Sequence, residues 1–302
     1  MLKITELDWL NGGAAKSPDI KSLLEERAKT DQPMDSFSLS DIDLSGINLT
    51  HKASKTGYQL TNGDFYKTDF RGAHCFKLDL SGSSLMKADF SGANLHCADL
   101  RECNLLGANF DGAKLEHIIW GDKIRHERLA AETNSPQLKQ EYYQEAEEIY
   151  RHLRLVAERQ GLFEMAGNFF QREMVMRRKQ KPYFSLNRLL SKAVDFLCGY
   201  GEKPIRVTVF SWLVIILFTV IYFFTGVVSD GESIQYNLNV GLHENIQAML
   251  TCLYYSVVTF TTLGYGDIVP MGLSRFWAAT EALIGSFTLA VFVVVFVKKM
   301  TR

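Results

Sequence analysis

The residue types with the clearest chemical potential form a short glycine-containing motif in the second half of the sequence. Residues 261–267 are Thr-Thr-Leu-Gly-Tyr-Gly-Asp. Glycine adopts backbone conformations that a Cβ atom forbids, so Gly264 and Gly266 allow successive carbonyl groups to point toward one axis. A chance Gly-Tyr-Gly in an ordinary turn is the alternative interpretation. The elements that flank the motif decide between the two.

The hydrophobicity of this half predicts two membrane-spanning helices rather than three. Three runs are long enough to cross a bilayer and carry at most one charge each, over residues 207–229, 245–266 and 276–297. The first run holds fifteen Val, Ile, Leu or Phe residues, which favour insertion by roughly 4 to 9 kcal/mol. The middle run holds only seven, which favour it by roughly 2 to 4 kcal/mol, and polar residues interrupt it. We therefore expect the middle run to insert poorly by itself.

The distribution of basic residues predicts an even number of membrane crossings. Nine Lys or Arg residues lie in 172–206, none lies in 230–244, and Lys298, Lys299 and Arg302 follow the last run. Basic flanks favour the cytoplasmic side, so both of these flanks are expected in the cytoplasm. The middle run must then enter and leave the membrane from the outer side. Non-helical backbone survives at membrane depth only inside protein or along a water-filled path, so this topology predicts a pore.

At the end of the middle run, the motif resembles the TxGYGD selectivity filter of bacterial two-transmembrane potassium channels. The resemblance implies that backbone carbonyls replace the hydration shell of a K⁺ ion. Leu263 stands where the family more often has valine, a change that removes no carbonyl group. The implied ion-binding filter consists of Thr262, Leu263, Gly264, Tyr265 and Gly266, and the first four of these supply the carbonyls that hold K⁺.

Four more residues are candidates for supporting the filter, and a fifth is a candidate for gating. Tyr254 and Tyr255 stand where many family members have tryptophans, and their hydroxyls could bond Asp267 or the filter tyrosine. Glu281 is the only acid within a span, and we expect it to accept hydrogen bonds behind the pore helix. Gly285 lies near the hinge glycine of related channels; it predicts either a gating hinge or close helix packing.

A period of five residues organises the sequence from about residue 38 to 117. A small residue lies two positions before most apolar centres, Asp or Asn often lies one before, and Gly often lies two after. Period five matches neither a helix nor an alternating strand, but it suits a coil of equal sides. The centres are Leu39, Leu44 and Leu49, then Leu60, Phe65, Phe70, Cys75, Leu80, Leu85, Phe90, Leu95, Leu100, Leu105, Phe110 and Leu115.

These repeats, with stretches such as ADFSG and ANLHCADL, resemble the pentapeptide-repeat family. The resemblance implies a right-handed quadrilateral β-helix with four repeats in each coil, whose central and small positions both point inward. The segment 51–57 inserts one residue between the two blocks of repeats.

Cysteine usage in the repeats allows two interpretations. Cys75 is small for a centre and Leu78 is large for its position, so we expect the two volumes to compensate and the thiols to act as small hydrophobes. The alternative is a zinc site, but the spacings match no ligand motif. Its ligands would come from Cys75, Cys97, Cys103, His74 and His96.

The sequence between the repeats and the first span predicts three helices. A Glu-, Gln- and Ala-rich helix is expected from about residue 137 to Gln160, a stop at Gly161, and a second helix over 162–179. In the third, Leu186, Leu189, Leu190, Ala193, Val194 and Leu197 share one face. Such a helix either lies in the membrane interface or packs on another soluble helix, and its proximity to the first span favours the interface.

We therefore predict a multidomain protein with four segments. They are an N-terminal helical cap (1–37), a pentapeptide-repeat β-helix (38–122), a cytoplasmic helical connector with the interfacial helix (123–200), and an α-helical two-transmembrane pore domain with a re-entrant pore loop (201–302). The N-terminus has no signal peptide, and the odd number of cysteines suggests no disulfide framework. We expect a multi-pass protein of the bacterial plasma membrane with both termini in the cytoplasm.

The predicted function is passive, potassium-selective transport through a homotetrameric pore, modulated by the cytoplasmic N-terminal region through residues 182–206. One re-entrant loop supplies only one wall of a filter, so symmetry must supply the rest. The expected partners are K⁺ and the lipid bilayer, with no cofactor beyond the permeant ion. The alternative is a membrane-tethered binding scaffold, although an anchor does not need the Gly-Tyr-Gly motif.

Two further classes of function find little support. Residues 37–118 hold eight Lys or Arg and ten acids, a net charge of 8 − 10 = −2, which is too weak for mimicry of DNA, and we expect no nucleic-acid partner. An enzyme is not predicted, because no nucleophile with a base, phosphate-binding loop or pair of acids occupies a plausible site.

Overall fold

The computed structural model of the chain describes residues 5–32, 34–51, 57–229 and 231–301. It contains two compact units, which meet in sequence between Arg188 and Leu189. The first unit holds the repeats and the helices that follow them, and the second holds the two long apolar helices. Each unit is described by itself.

Short helices precede the repeats in the first unit. Helix α1 (Glu6–Leu10), a 3-10 turn (Ala14–Lys16) and helix α2 (Ile20–Lys29) lead to strand β1 (Met34–Asp35), which pairs in parallel with strand β2 (Leu60–Thr61). Ile20, Leu24 and Ala28 of α2 belong to the same buried core as the repeats. The helical cap therefore covers apolar surface that the first coil would otherwise expose to water.

The repeats form stacked coils joined by parallel bridges. Asp64 pairs with Ser84, and Ser84 pairs with Asn104, so each coil contains twenty residues, which equals four repeats. Leu95 at a central position and Ala93 at a small position are both 0% exposed. Phenylalanines of successive coils stack, with ring centroids of Phe70 and Phe90 4.7 Å apart. Both apolar positions of the repeat therefore point into one continuous core.

The segment between the two blocks of repeats is longer than the period suggests. Asp43 pairs with Asp69 and Asn48 with His74, a separation of 26 residues rather than 20. The first coil therefore carries six additional residues, where the sequence predicts one. A shift of six and a shift of one are equivalent within a period of five, so periodicity alone does not distinguish them. Residues 52–56 of this segment lie outside the described part of the chain.

The polar positions of the repeat build the turns between sides. The carboxylate of Asp79 accepts a hydrogen bond from the amide of Ser81 at 2.9 Å, and Asn94 accepts one from the amide of His96 at 3.2 Å. Asp and Asn therefore satisfy a backbone amide two residues on, as in other Asx turns. The position two after each centre has positive φ, for example +75° at Gly82, so glycine is favoured there.

Three helices follow the repeats and complete the same core. They are α3 (Arg125–Glu132), α4 (Pro136–Arg159) and α5 (Phe163–Lys179), so the predicted hairpin with its turn at Gly161 is present. The centroid of the Trp120 ring lies 6.0 Å from that of Phe110 in the repeats and 5.6 Å from that of Phe169 on α5. The predicted boundary between residues 122 and 123 therefore lies inside one compact unit.

Helix α6 (Leu186–Cys198) carries the predicted apolar face. Leu186, Leu189, Leu190 and Val194 are exposed, as is Phe196. A 3-10 turn (Gly199–Gly201) follows α6.

The second unit contains two helices long and apolar enough to cross a membrane, α7 (Pro204–Thr225) and α9 (Ser274–Met300). Between them lie strands β3 (Val227–Ser229) and β4 (Glu232–Ile234), helix α8 (Leu242–Phe260) and strand β5 (Ile268–Pro270). Strand β3 pairs antiparallel with both β4 and β5. Helix α8 comes from the middle apolar run, and it does not qualify as a span.

We predict that Leu95→Asp unfolds the repeat unit, because it places a charge in a dry core at a cost of about 4 kcal/mol or more. The matched control is Lys114→Asp, which introduces the same side chain at an exposed position where other repeats already carry Asp. Thermal unfolding of a soluble fragment containing residues 1–184 measures both variants. Similar melting temperatures for the two would contradict the inward register.

Candidate ion pathway

The glycine motif lies between the end of α8 and the start of β5. The last turn of α8 continues into it, since the amide of Leu263 donates to the carbonyl of Val258 at 3.0 Å. The C-terminal end of a helix carries a partial negative charge from its unpaired carbonyls. Helix α8 therefore directs a cation-attracting end toward residues 261–267.

Alternating backbone conformations organise the motif. Thr262, Gly264 and Gly266 have φ of +59°, +53° and +83°, whereas Leu263 and Tyr265 have negative φ. Where left- and right-handed residues alternate, successive peptide groups can share a common direction. These φ values are those expected of a backbone whose carbonyl groups share one face, and that face stays a prediction.

Thr262 is the strained member of this series. Positive φ is a genuine outlier for a β-branched residue and costs about 1 to 3 kcal/mol, whereas glycine avoids most of that cost. The sequence analysis assigned unusual φ angles to the two glycines only. The sequence carries no signal for Thr262, because threonine normally avoids this conformation. Strain of this kind is concentrated at functional sites.

The carbonyls that the sequence analysis assigned to ion binding are available for a ligand. Within the described residues, the carbonyls of 262–265 accept no hydrogen bond. Leu263 is 60% exposed and Tyr265 is 68% exposed in the single chain. The Thr262 hydroxyl donates to the carbonyl of Thr261 at 2.7 Å. Since backbone carbonyls are strong acceptors, this row needs a cation, water or another chain as its partner.

The two supporting tyrosines differ in what they contact. The Tyr254 hydroxyl donates to the carboxylate of Asp267 at 2.8 Å, which joins α8 to the end of the motif. Tyr255 points elsewhere, and its ring lies 4.8 Å from the ring of Tyr222 on α7. One tyrosine therefore braces the motif directly, and the other packs α8 against α7.

A three-stranded sheet holds the residues that follow the motif. Ile268 pairs with Ser229 and Val269 with Val228, so β5 is attached to the strand that leaves α7. The Ser274 hydroxyl, at the start of α9, donates to the carbonyl of Gly226 at 2.6 Å. The sequence analysis did not predict this sheet, because strands of three residues are too short to show an alternating pattern.

Glu281 lies at the junction of the three helices. It is 0% exposed. The hydroxyl of Tyr222 on α7 donates to its Oε2 at 2.6 Å, and the Oγ of Ser256 on α8 lies 2.5 Å from its Oε1. The carboxyl group is therefore buried between α7, α8 and α9, and its role in supporting a filter stays a prediction.

Gly285 allows α9 to touch the end of α8. A Cβ atom at this position would lie 2.0 Å from the carbonyl oxygen of Phe260, which immediately precedes the motif. Helix α9 is continuous from Ser274 to Met300. Of the two interpretations of Gly285, the structure supports close packing, and a hinge stays a prediction.

The structure offers no metal-binding cluster of three or more His, Cys, Asp or Glu side chains within the residues it describes. Cys75 and Cys103 are buried, and burial raises the pKa of the Cys75 thiol to about 12. Such thiols stay protonated and act as small hydrophobes, which is the interpretation that the sequence analysis preferred over zinc.

Two family models match parts of the chain, one in each half. Residues 83–119 match the model of the pentapeptide repeats, with 8 copies, and residues 209–302 match the model of the ion channel family. The chain joins pentapeptide repeats to an ion-channel region. The matched channel region includes the motif, α9 and α7 from residue 209 onward, and this match supports the predicted ion channel. This match points to transport rather than catalysis.

Solved pentapeptide-repeat structures are similar to the repeat region. The protein Rfr23 from the cyanobacterium Cyanothece 51142 is 29% identical over 30% of this chain and 57% of its own, with a TM-score of 0.27. The protein alr5209 from Nostoc PCC 7120 is 32% identical over 31% of this chain and 74% of its own, also with a TM-score of 0.27. The chain thus spans little more than half of the first of these relatives. A search of curated proteins found no match.

We predict that Gly285→Ala destabilises the channel region, because the added Cβ forces α9 away from the Phe260 carbonyl at a cost of about 1 to 3 kcal/mol. Without that contact, the same change would stabilise the helix by about 0.5 to 1 kcal/mol. A lower melting temperature of Gly285→Ala in detergent would support the close contact with Phe260, and a higher one would contradict it. Ser286→Ala, at the neighbouring exposed position, serves as the control.

Proposed function

We propose that the protein is a potassium-selective channel whose filter is formed by residues 262–266 of four identical chains. The observation that carries this proposal is the row of exposed carbonyls, ordered by alternating φ, within a region of the ion channel family. Carbonyl oxygens can replace the hydration shell of a dehydrated cation. No acidic side chain occurs among these five residues, which favours K⁺ over ions that acidic rings select.

A re-entrant path for α8 and the motif is supported by the contacts at their two ends. The end of α7 and the start of α9 lie together, because the hydroxyls of Thr225 and Ser274 are 2.7 Å apart. The chain between them leaves through β3 and returns through β5, and these strands pair with each other. Helix α8 and the motif therefore start and finish at the same end of the two spans. This is the geometry of a loop that enters the membrane and returns.

Four-fold assembly is supported by the exposure of the motif in one chain. A single row of carbonyls forms one wall, and an ion without its water needs oxygen ligands on all sides. Closed cyclic symmetry supplies the other walls with identical rows. The exposed apolar surface of α9, including Phe287 and Val294, provides surface for neighbouring chains or lipid.

We place the channel in a bacterial plasma membrane with both termini and the pentapeptide-repeat unit in the cytoplasm. The basic residues near the start of α7 and the end of α9 support this orientation. The twenty-residue coils support the quadrilateral, right-handed β-helix of the pentapeptide-repeat family.

Modulation by the N-terminal unit acts through α6 in this proposal. Arg206 on α7 donates to the carbonyl of Asp195 on α6 at 2.8 Å, and Lys298 on α9 donates to Glu202 at 2.6 Å. Cys198, the last residue of α6 and four positions before Glu202, shares a small apolar cluster with Val295 of α9. The end of α6 is therefore tied to the cytoplasmic ends of both spanning helices.

Potassium selectivity is tested by flux into liposomes that contain the purified protein. Under bi-ionic conditions, the reversal potential should lie close to the potassium equilibrium value. Gly266→Ala should abolish selective flux, because alanine is strained at φ +83°, whereas Leu263→Val, at a negative φ, should preserve it. Near-equal permeability to Na⁺ and K⁺ in the unchanged protein would contradict the proposal.

Assembly is tested by native mass measurement in mild detergent. We expect particles of about four chains, because one chain cannot surround the ion. Conduction by a stable monomer or dimer would be inconsistent with this filter.

Modulation is tested by removing residues 1–184, which deletes the N-terminal unit up to the start of α6. The cut avoids the shared core that a boundary at residue 122 would divide. We expect the open probability to change, because the deleted unit can no longer bias the ends of α7 and α9. Equal open probabilities for tetramers of both lengths, across pH, calcium concentration and membrane tension, would show that the unit does not gate.

A further inference from the structure

The carboxyl group of Glu281 is buried among the three helices. Within the described residues it forms no ion pair, and its hydrogen-bond partners are the hydroxyls of Tyr222 and Ser256. Tyr255 on α8 is the other titratable side chain nearby. An ionised carboxylate is unfavourable in such surroundings, whereas a neutral acid needs only hydrogen bonds.

The hydrogen-bond geometry around Ser256 limits where the protons can be. Its Oγ lies 2.5 Å from Oε1 of Glu281 and 3.0 Å from the carbonyl oxygen of Ile215 on α7. A hydroxyl has one hydrogen to donate, and a backbone carbonyl can only accept. If Ser256 donates to Ile215, the hydrogen in the short contact with Glu281 must come from the carboxyl group. An ionised Glu281 leaves one of these two contacts without a hydrogen, although the Ile215 carbonyl also accepts from the Thr219 hydroxyl at 2.8 Å. The neutral form is therefore favoured chiefly by the burial of the carboxyl group without an ion pair among the described residues.

From this geometry we propose that Glu281 is a protonated positioning residue whose neutral carboxyl group donates to Ser256 and thereby keeps α8 joined to α7. The protonated state of Glu281 is argued from its surroundings alone. Its expected effect on conduction rests on the proposed channel function. The carboxylic acid donates through one oxygen and accepts from Tyr222 through the other. Ser256 then donates its own hydrogen bond to the Ile215 carbonyl, so hydrogen bonds connect all three helices.

The connection lies next to the motif. Ser256 is one helical turn before Phe260, and Gly285 is one turn after Glu281 on α9, where it contacts the Phe260 carbonyl. Loss of the proton would leave Ser256 with two competing acceptors and would weaken the link between α7 and α8. We therefore expect alkaline pH to destabilise the conducting form of the motif.

Few groups other than Glu281 can produce such a pH response at this junction. From α7 it faces Tyr222, and from α8 it faces Ser256, which does not titrate, with Tyr255 nearby. Tyrosine in water titrates near pH 10. Within the described residues, no Lys, Arg or His pairs with Glu281 from any of these helices, so a transition below that range is assigned to its carboxyl group.

The first test is infrared spectroscopy of the full-length protein, unchanged and with Glu281→Gln. At neutral pH, the unchanged protein should show the carbonyl-stretch band of a protonated, buried carboxylic acid, and this band should be missing from E281Q. The amide of E281Q can donate to Ser256 and accept from Tyr222, so it should melt within a few degrees of the unchanged protein. Glu281→Leu should lower the melting temperature by roughly 5 °C or more.

The second test is the pH dependence of potassium flux. Open probability should fall on alkalinisation in the unchanged protein and stay flat in E281Q, which carries a permanent donor. Equal spectra of the two proteins would overturn the protonated state, and equal pH profiles would overturn its role at the motif. Because spectra and melting need no conduction, an absence of potassium flux would contradict the proposed channel and leave the protonated state supported.

Discussion

A backbone carbonyl needs a partner, and four successive carbonyls in the motif have none within the described chain. The surrounding structure keeps these groups in an arrangement that the backbone does not favour by itself. Thr262 at positive φ costs about 1 to 3 kcal/mol, so neighbouring contacts must hold it. The bond from Tyr254 to Asp267 and the pairing of β5 with β3 fix the motif after its last glycine.

The same requirement explains the polar groups among the apolar helices. Helices α7, α8 and α9 meet around a buried carboxyl group, and α8 ends where α9 has no side chain at Gly285. Apolar packing is tolerant of small shifts, whereas hydrogen bonds fix both distance and direction. Three hydrogen-bonding side chains from three helices therefore define the position of α8 more narrowly than hydrophobic contact does.

Features with a repeating or compositional pattern could be predicted from the sequence, and features that depend on single contacts could not. The inward centres such as Leu95, the stop at Gly161 and the two apolar helices follow from periodicity and hydrophobic length. The six additional residues in the first coil could not be predicted, because insertions of one residue and of six residues shift a five-residue pattern by the same amount. The strain at Thr262 and the contact at Gly285 arise from the tertiary structure, which no local pattern records.

The repeat unit and the channel region also differ in how continuously they are packed. Hydrogen bonds join each coil to the next, and an apolar core continues from α2 through the repeats to α5, so this unit should move as a rigid body. Helix α6, in contrast, exposes its apolar face, and polar bonds at its end reach both spanning helices. A rigid unit can bias a pore only by as much as its contacts differ between open and closed forms. The few bonds around Asp195, Glu202 and Lys298 are therefore where such a difference would have to arise.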